Sequence, residues 1–143
     1  MEWEQHRELF AWDGNWLDIY VFDTTMSDWQ RLLDALRASS YELRYSVDGE
    51  TEAQIPGLVE AIFARRSEAS VTLSIDARQL WLNCHFFIAD AIEFDLGPRV
   101  IDGQPRLDRL VQFIDLLLGA LGKEVLLTPE NLPERPLWRF TAP

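Results

Sequence analysis

The chain has 143 residues, with 13 Lys and Arg against 24 Asp and Glu, and 48% of its residues are hydrophobic. That length fits one domain with a real core, the hydrophobic share excludes a disordered chain, and a single cysteine excludes a disulfide framework. The net charge of −11 makes nucleic acid and anionic membranes poor partners, because both are bound through Lys and Arg.

The charge is uneven. Residues 1–60 hold 13 acids and four bases, a net −9, and the rest of the chain is only −2. Such a surface steers a basic protein partner toward it, although the same charge also serves plain solubility. No apolar run reaches the roughly 18 residues of a spanning helix. The start, Met1-Glu2-Trp3-Glu4-Gln5-His6, lacks the basic and then apolar pattern of a secretory signal, so a cytoplasmic location is expected.

In chain order, residues 8–12 and 16–22 read as a hairpin around Asp13-Gly14-Asn15. A loop at Gly14-Asn15 pairs Trp12 with Leu17 and Phe10 with Ile19, whereas one at Asp13-Gly14 sets Leu9 against Asp18, so the first is preferred. Phe10, Trp12, Leu17, Ile19 and Val21 then face the core, and Leu9, Trp16, Asp18, Tyr20 and Phe22 face away. Thr25 and Asp28 form a capping-box signal for a helix to about Ala38, whose stripe is Trp29, Leu32, Leu33 and Leu36. Residues 41–47 alternate as a strand, and 54–66 read as a helix with Ile55, Leu58, Val59, Ile62 and Phe63 as its stripe. Residues 71–75, 80–88 and 92–96 read as a meander. A three-residue second loop, 89–91, sets Phe86 against Phe94, Cys84 against Leu96 and His85 against Asp95; a two-residue loop would oppose Phe86 to Glu93. A helix over 105–121, a strand over 124–128 and a Pro-rich tail from about 129 complete the chain. The order β-β-α-β-α-β-β-β-α-β predicts a single α+β domain, 1–143, with about three helices on a largely antiparallel sheet.

Asn83-Cys84-His85 is the most chemical-looking string. On a strand, neighbouring side chains point to opposite faces, so Cys84 joins the apolar file of Leu82 and Phe86 and reads as a buried structural residue. His85, with Asp95, Asn83 and Glu93, forms the one polar cluster with a derived geometry. It reads as a cross-strand ion pair, with a general-base role as the alternative. No metal-ligand spacing, phosphate loop or nucleophile elbow is present, so no metal or cofactor is expected. The aromatic and acidic face of the first hairpin is the better interaction signal. Trp16 and Tyr20 are candidate anchors with Asp18 between them, and Asp13 and Asp23 flank the strand.

Trp12-Asp13-Gly14, Asp18-Ile19-Tyr20-Val21, Asp28-Trp29, Leu82-Asn83-Cys84-His85-Phe86-Phe87, Ile92-Glu93-Phe94-Asp95 and Leu127-Thr128-Pro129-Glu130-Asn131 resemble strings in small bacterial proteins of the immunity type, partners of polymorphic or contact-dependent toxins. The resemblance spans about residues 8–131 and rests on no catalytic signature. It implies an acidic cytoplasmic protein that inactivates a basic toxin by occlusion, and it assigns no site residues. The competing expectations are an enzyme built on His85, Asp95 and Asn83, and a structural module without a ligand.

Overall fold

The computed structural model describes residues 1–142. The short helix α1 (Trp3–His6) runs into a 3-10 turn, Arg7–Phe10, and the elements that follow are β1 (Leu17–Phe22), α2 (Met26–Ala38), β2 (Glu42–Val47) and β3 (Glu50–Thr51). Then come α3 (Val59–Arg66), β4 (Val71–Asp76), β5 (Trp81–Ile88), β6 (Ala91–Leu96), α4 (Gln104–Leu121), β7 (Val125–Pro129) and β8 (Trp138–Phe140). Among the described residues the eight strands form one open sheet in the order β3-β2-β4-β5-β6-β1-β7-β8. Every neighbouring pair is antiparallel, so the fold is α+β. No helix among the described residues is long and apolar enough to cross a membrane.

Strand alternation divides the sheet into two unlike faces. Ile19 and Val21 of β1, Leu73 and Ile75 of β4, Leu82 and Cys84 of β5, and Ile92 and Phe94 of β6 form one apolar surface. Helices α2, α3 and α4 bury their stripes on it, and Trp29, Leu32, Leu36, Ile62, Leu110, Phe113 and Ile114 join the same core cluster. Trp29 is its pivot: its ring stacks on Phe86 at 4.9 Å and meets Phe63 edge-on at 5.1 Å, and its Nε1 donates to the Ala89 carbonyl at 3.0 Å.

Helix α2 starts where its capping box predicts. The Thr25 hydroxyl accepts from the Asp28 amide, and the Asp28 carboxylate accepts from the Thr25 amide at 2.9 Å. Helix α3 begins at Val59, not at residue 54. Pro56 disfavours a helical conformation at Ile55. The 52–57 segment instead forms a strap that α2 holds from outside: the Arg37 guanidinium donates to the carbonyls of Ile55, Pro56 and Gly57, and the Gln30 side chain accepts from the Val59 amide at 2.8 Å. Leu58, expected on the helical stripe, is 66% exposed.

The first hairpin is a correction. Residues 8–12 form no strand, and β1 finds its neighbours far along the chain, in β6 and β7. Phe10 is buried as expected, but Trp12 is exposed and lies under the Arg99 guanidinium, 4.2 Å from the ring centroid. The alternation of 8–12 therefore reflects one buried ring and a solvent-facing one, not a pleat.

The second correction is the β5–β6 register. His85 stands opposite Glu93, not Asp95, and Asn83 stands opposite Asp95. The turn has two residues, with Ile88 opposite Ala91, and the register shifts between His85 and Ile88. One inserted residue restores the face parity that a two-residue turn would have inverted, so Leu82, Cys84 and Phe86 stay inward, with Cys84 opposite Phe94 instead of Leu96; Ile88, expected inward opposite Ile92, lies beyond the shift and is 55% exposed. The third is the tail. It returns as β8, pairing with β7 through Val125 and Phe140, Leu126 and Arg139, and Leu127 and Trp138.

Cys84 is fully buried, and burial pushes its thiol pKa well above the ordinary value. The native protein is expected to resist a thiol reagent at pH 7. Cys84→Ser should lower stability by about 1–3 kcal/mol in denaturant titration, since the hydroxyl enters an apolar file. Rapid labelling of the folded chain would contradict the inward assignment.

Candidate functional site

The sheet face opposite the helices carries two polar rows across three adjacent strands. The first is Asn83 of β5, Asp95 of β6 and Asp18 of β1; the second is His85, Glu93 and Tyr20. Both follow from alternation combined with register: each of these side chains lies between two inward apolar ones.

Hydrogen bonds join the rows. His85 Nε2 lies 2.5 Å from Asp95 Oδ2, and Asn83 Nδ2 donates to Asp95 Oδ1 at 3.0 Å. Ser74 Oγ on β4 donates to Asn83 Oδ1 at 3.0 Å, which fixes the orientation of that amide. The Tyr20 hydroxyl lies 2.9 Å from Glu93 Oε1 and 3.3 Å from Asp18 Oδ2. The His85–Asp95 pair expected from the sequence is therefore made, but diagonally across the strands instead of face to face.

The loop after β7 builds one wall. The Asn131 amide donates to Asp18 Oδ2 at 2.7 Å, and the Trp16 amide donates to Glu130 Oε1 at 2.9 Å. Trp16 and Phe87 stand at the rim, 43% and 51% exposed, with Phe87 stacked on the His85 ring at 5.1 Å. The result is a cleft of about 380 Å³ floored by the two rows and flanked by Trp16, Phe87, Glu130 and Asn131. None of its lining residues is Lys or Arg. A second depression of about 620 Å³ shares Trp16, Glu130 and Asn131, and continues past Asp13 and Leu132.

The electrostatics follow from the crowding of like charge. Burial is the main reason the Asp18 carboxyl is pushed up to about 6; Glu93 and Asp95 raise it further, while the Asn131 amide and the Tyr20 hydroxyl hold it down. His85 titrates above its ordinary value, chiefly through its hydrogen bond to Asp95, against a smaller opposing effect of burial. The cleft thus carries a buried carboxyl pushed up to about 6 and an imidazole held above its ordinary value, beside Glu93 and Asp95.

The sequence-predicted residues separate here. Trp16 and Asp18 line the cleft, Asp13 lines the adjoining depression, and His85, Asn83 and Asp95 belong to the floor. Tyr20 is 7% exposed and acts as a buried brace between Asp18 and Glu93. Asp23 is exposed at the far end of β1, where its carbonyl accepts from Lys123 Nζ at 2.5 Å; it is not among the cleft residues. Sequence reasoning missed Phe87, Glu130 and Asn131 as walls. Their only signal was proximity in sequence to His85 and to the end of β7.

The arrangement can take up a cation, or pass a proton between His85 and Asp95, which are in hydrogen-bond contact. No group of three or more His, Cys, Asp or Glu side chains among the described residues is placed to hold a metal ion. The Ser74 hydroxyl donates to Asn83 and not to His85, so these two residues do not form a Ser–His nucleophile pair. Comparison with protein-family models, with curated proteins and with solved structures finds no match.

Proposed function

We propose that the protein is an acidic inhibitory partner, of the immunity type, that inactivates a basic toxin domain in the cytoplasm by receiving an Arg or Lys side chain in this cleft. One observation carries the reading: Asp18, Glu93, Asp95 and Glu130 converge on a cleft rimmed by exposed Trp16 and Phe87, and no Lys or Arg lines it. A guanidinium fits such a place well, because it bridges carboxylates and stacks on aromatic faces. Occlusion needs no catalytic step, only a bound partner whose phosphate-binding side chains are taken up.

The test uses an Arg-rich peptide and its Glu-rich counterpart as probes. The Arg-rich peptide is expected to bind, with an association rate that falls as salt rises above roughly 0.15 M, where the Debye length is about 8 Å. Trp16→Ala should weaken it by about 2 kcal/mol or more, roughly thirtyfold, if Trp16 is an anchor. Equal binding to Trp16→Ala and to a Glu93→Gln, Asp95→Asn double variant would reject the cleft as the binding site.

A second reading has one observation in its favour: Asp18 at about 6 beside a raised His85 is the pairing an acid–base centre uses. Stoichiometry separates the two. An occluding inhibitor silences its target one to one, whereas an enzyme acts at a small fraction of an equivalent.

A further inference from the structure

The open sheet face carries more than its two polar rows. Alternation extends the outward files of β5 and β1 by one step at each end. On one side of the polar rows stand Trp81, exposed between buried Leu80 and Leu82, and Trp16, one residue ahead of β1. On the other side stand Phe87 and Ile88 of β5 and Phe22 of β1. Phe87 stacks on His85, Phe22 stacks on Tyr20 at 5.2 Å, and Ile88 and Phe22 both oppose Ala91 of β6. These five apolar side chains are 37–55% exposed.

The middle strand turns the face into a groove. Where β5 and β1 carry large side chains, β6 is bare: Ala91 lies at one end, Gly97 follows at the other, and Glu93 and Asp95 lie between them. Neighbouring strands are about 4.8 Å apart, so the two walls stand about 10 Å apart across β6. That is close to the diameter of an α-helix. The apolar rows are six positions apart on both walls, 81 to 87 and 16 to 22. Six positions span about 20 Å on a strand, which a helix covers in about 13–14 residues.

We propose that this groove docks one amphipathic α-helix of the basic partner, lying along β6. Apolar side chains at i and at i+11 and i+14 rest on the two apolar ends, and Arg or Lys at i+4 and i+7 stands over the acidic rows. The inference rests on the cleft reading above and adds what the partner presents to that cleft. These spacings share one helix face, the usual pattern of a helix held in a groove. Charge complementarity selects the occupant. The middle of the groove is acidic, and the Arg66 guanidinium lies beyond it, over Phe87 at 6.0 Å from the ring centroid. A second copy meeting this face with its own would set the same carboxylates against each other.

Fluorescence anisotropy with two labelled 18-residue peptides on the full chain tests it. The first is Ala-based, with Leu at i, i+11 and i+14 and Arg at i+4 and i+7. The second has two central alanines replaced by proline, so it keeps the charge and loses the helix. The first should bind about tenfold more tightly or better. Trp81→Ala and Ile88→Ser lie outside the acidic cleft, and Ala91→Tyr fills the groove floor. Each should weaken the helical peptide by about fivefold or more and leave the proline peptide unchanged. All three are surface positions, and urea midpoints close to the parent's verify that the variants fold. Equal binding of the two peptides, or indifference of the helical one to Trp81→Ala or to Ile88→Ser, overturns the docked helix. The cleft reading stands in that case if Trp16→Ala still weakens both peptides. Binding of neither peptide removes both. A chain that sediments as a dimer and turns monomeric in Ile88→Ser assigns the face to a second copy and overturns the proposal too.

Discussion

Asp18→Asn is expected to stabilise the protein at pH 7.5 by about 2–3 kcal/mol. The Asp18 carboxyl is 3% exposed, faces Asp95 across the strand and titrates at about 6 instead of the ordinary 3.8. Each pKa unit is worth about 1.4 kcal/mol, so holding this group ionised costs the fold about 3 kcal/mol at neutrality. Its folded value lies above its unfolded one. The stability it contributes is therefore fully present below pH 3.8 and is lost as pH rises through about 6. Asparagine keeps an oxygen for the Asn131 amide and offers a donor to the crowded carboxylates, without the charge. Urea unfolding at pH 4 and pH 7.5 should show little difference between variant and parent at the lower pH and the full gain at the higher. A destabilised Asp18→Asn at pH 7.5 would refute the account. If Asp18 also meets a partner's guanidinium, the variant should be more stable and bind more weakly, the trade expected of a residue held in an unfavourable state for function.

Asp28→Ala is expected to cost about 3–5 kcal/mol, the usual loss when one partner of a buried pair is removed. Asp28 is 1% exposed, and its carboxylate closes the α2 capping box, meets Lys123 Nζ at 2.9 Å and pairs with Arg31. Burial alone would raise its pKa, but Lys123 and the Thr25 cap together pull it below the ordinary value. Its contribution is therefore present above pH 3.8 and lost as pH falls through the folded value. Asp28→Asn, which keeps the capping geometry, should lose less than the alanine. With Asp18 and His85 gaining stability toward lower pH and Asp28 losing it, the profile should peak on the acidic side of neutrality, between about pH 4 and 6. Thermal melts across that range check it.

Local signals are legible in the sequence where the segment itself supplies the answer. Thr25 and Asp28 mark a helix start, and the alternation through Leu82, Cys84 and Phe86 separates Cys84 from His85 whatever the register. Partner choice was not legible. The pattern of β1 says that Ile19 and Val21 point inward, but nothing in residues 17–22 says that β6 and β7 flank the strand instead of residues 8–12. The polar rows inherit that limit. The sequence places Asn83, His85, Glu93 and Asp95 on one hairpin and Asp18 and Tyr20 on another, and only the β1–β6 pairing merges them into one site. A register shift between His85 and Ile88 leaves Asn83, Cys84 and His85 on their expected faces with partners two residues away, and turns only Ile88 outward, opposite Ala91 instead of Ile92, which is why most of the faces agree and the pairs do not. Strand β8 is not legible because Trp138–Phe140 is only three residues long, too short for an alternation, and follows Pro129, Pro133 and Pro136.

The place of β1 inside the sheet sets an order of events for folding. It is the first strand of the chain, yet both its neighbours come late, β6 at residues 91–96 and β7 at 125–129. During synthesis Ile19 and Val21 stay without their flanking strands until β6 has emerged, and the sheet cannot close on its other side until nearly the whole chain is made. Loops of that length must be closed before any of these contacts is formed, so assembly should be slow for a protein of this size. The exposed N-terminal strand is then the natural point for a nascent chain to seek help or to go astray.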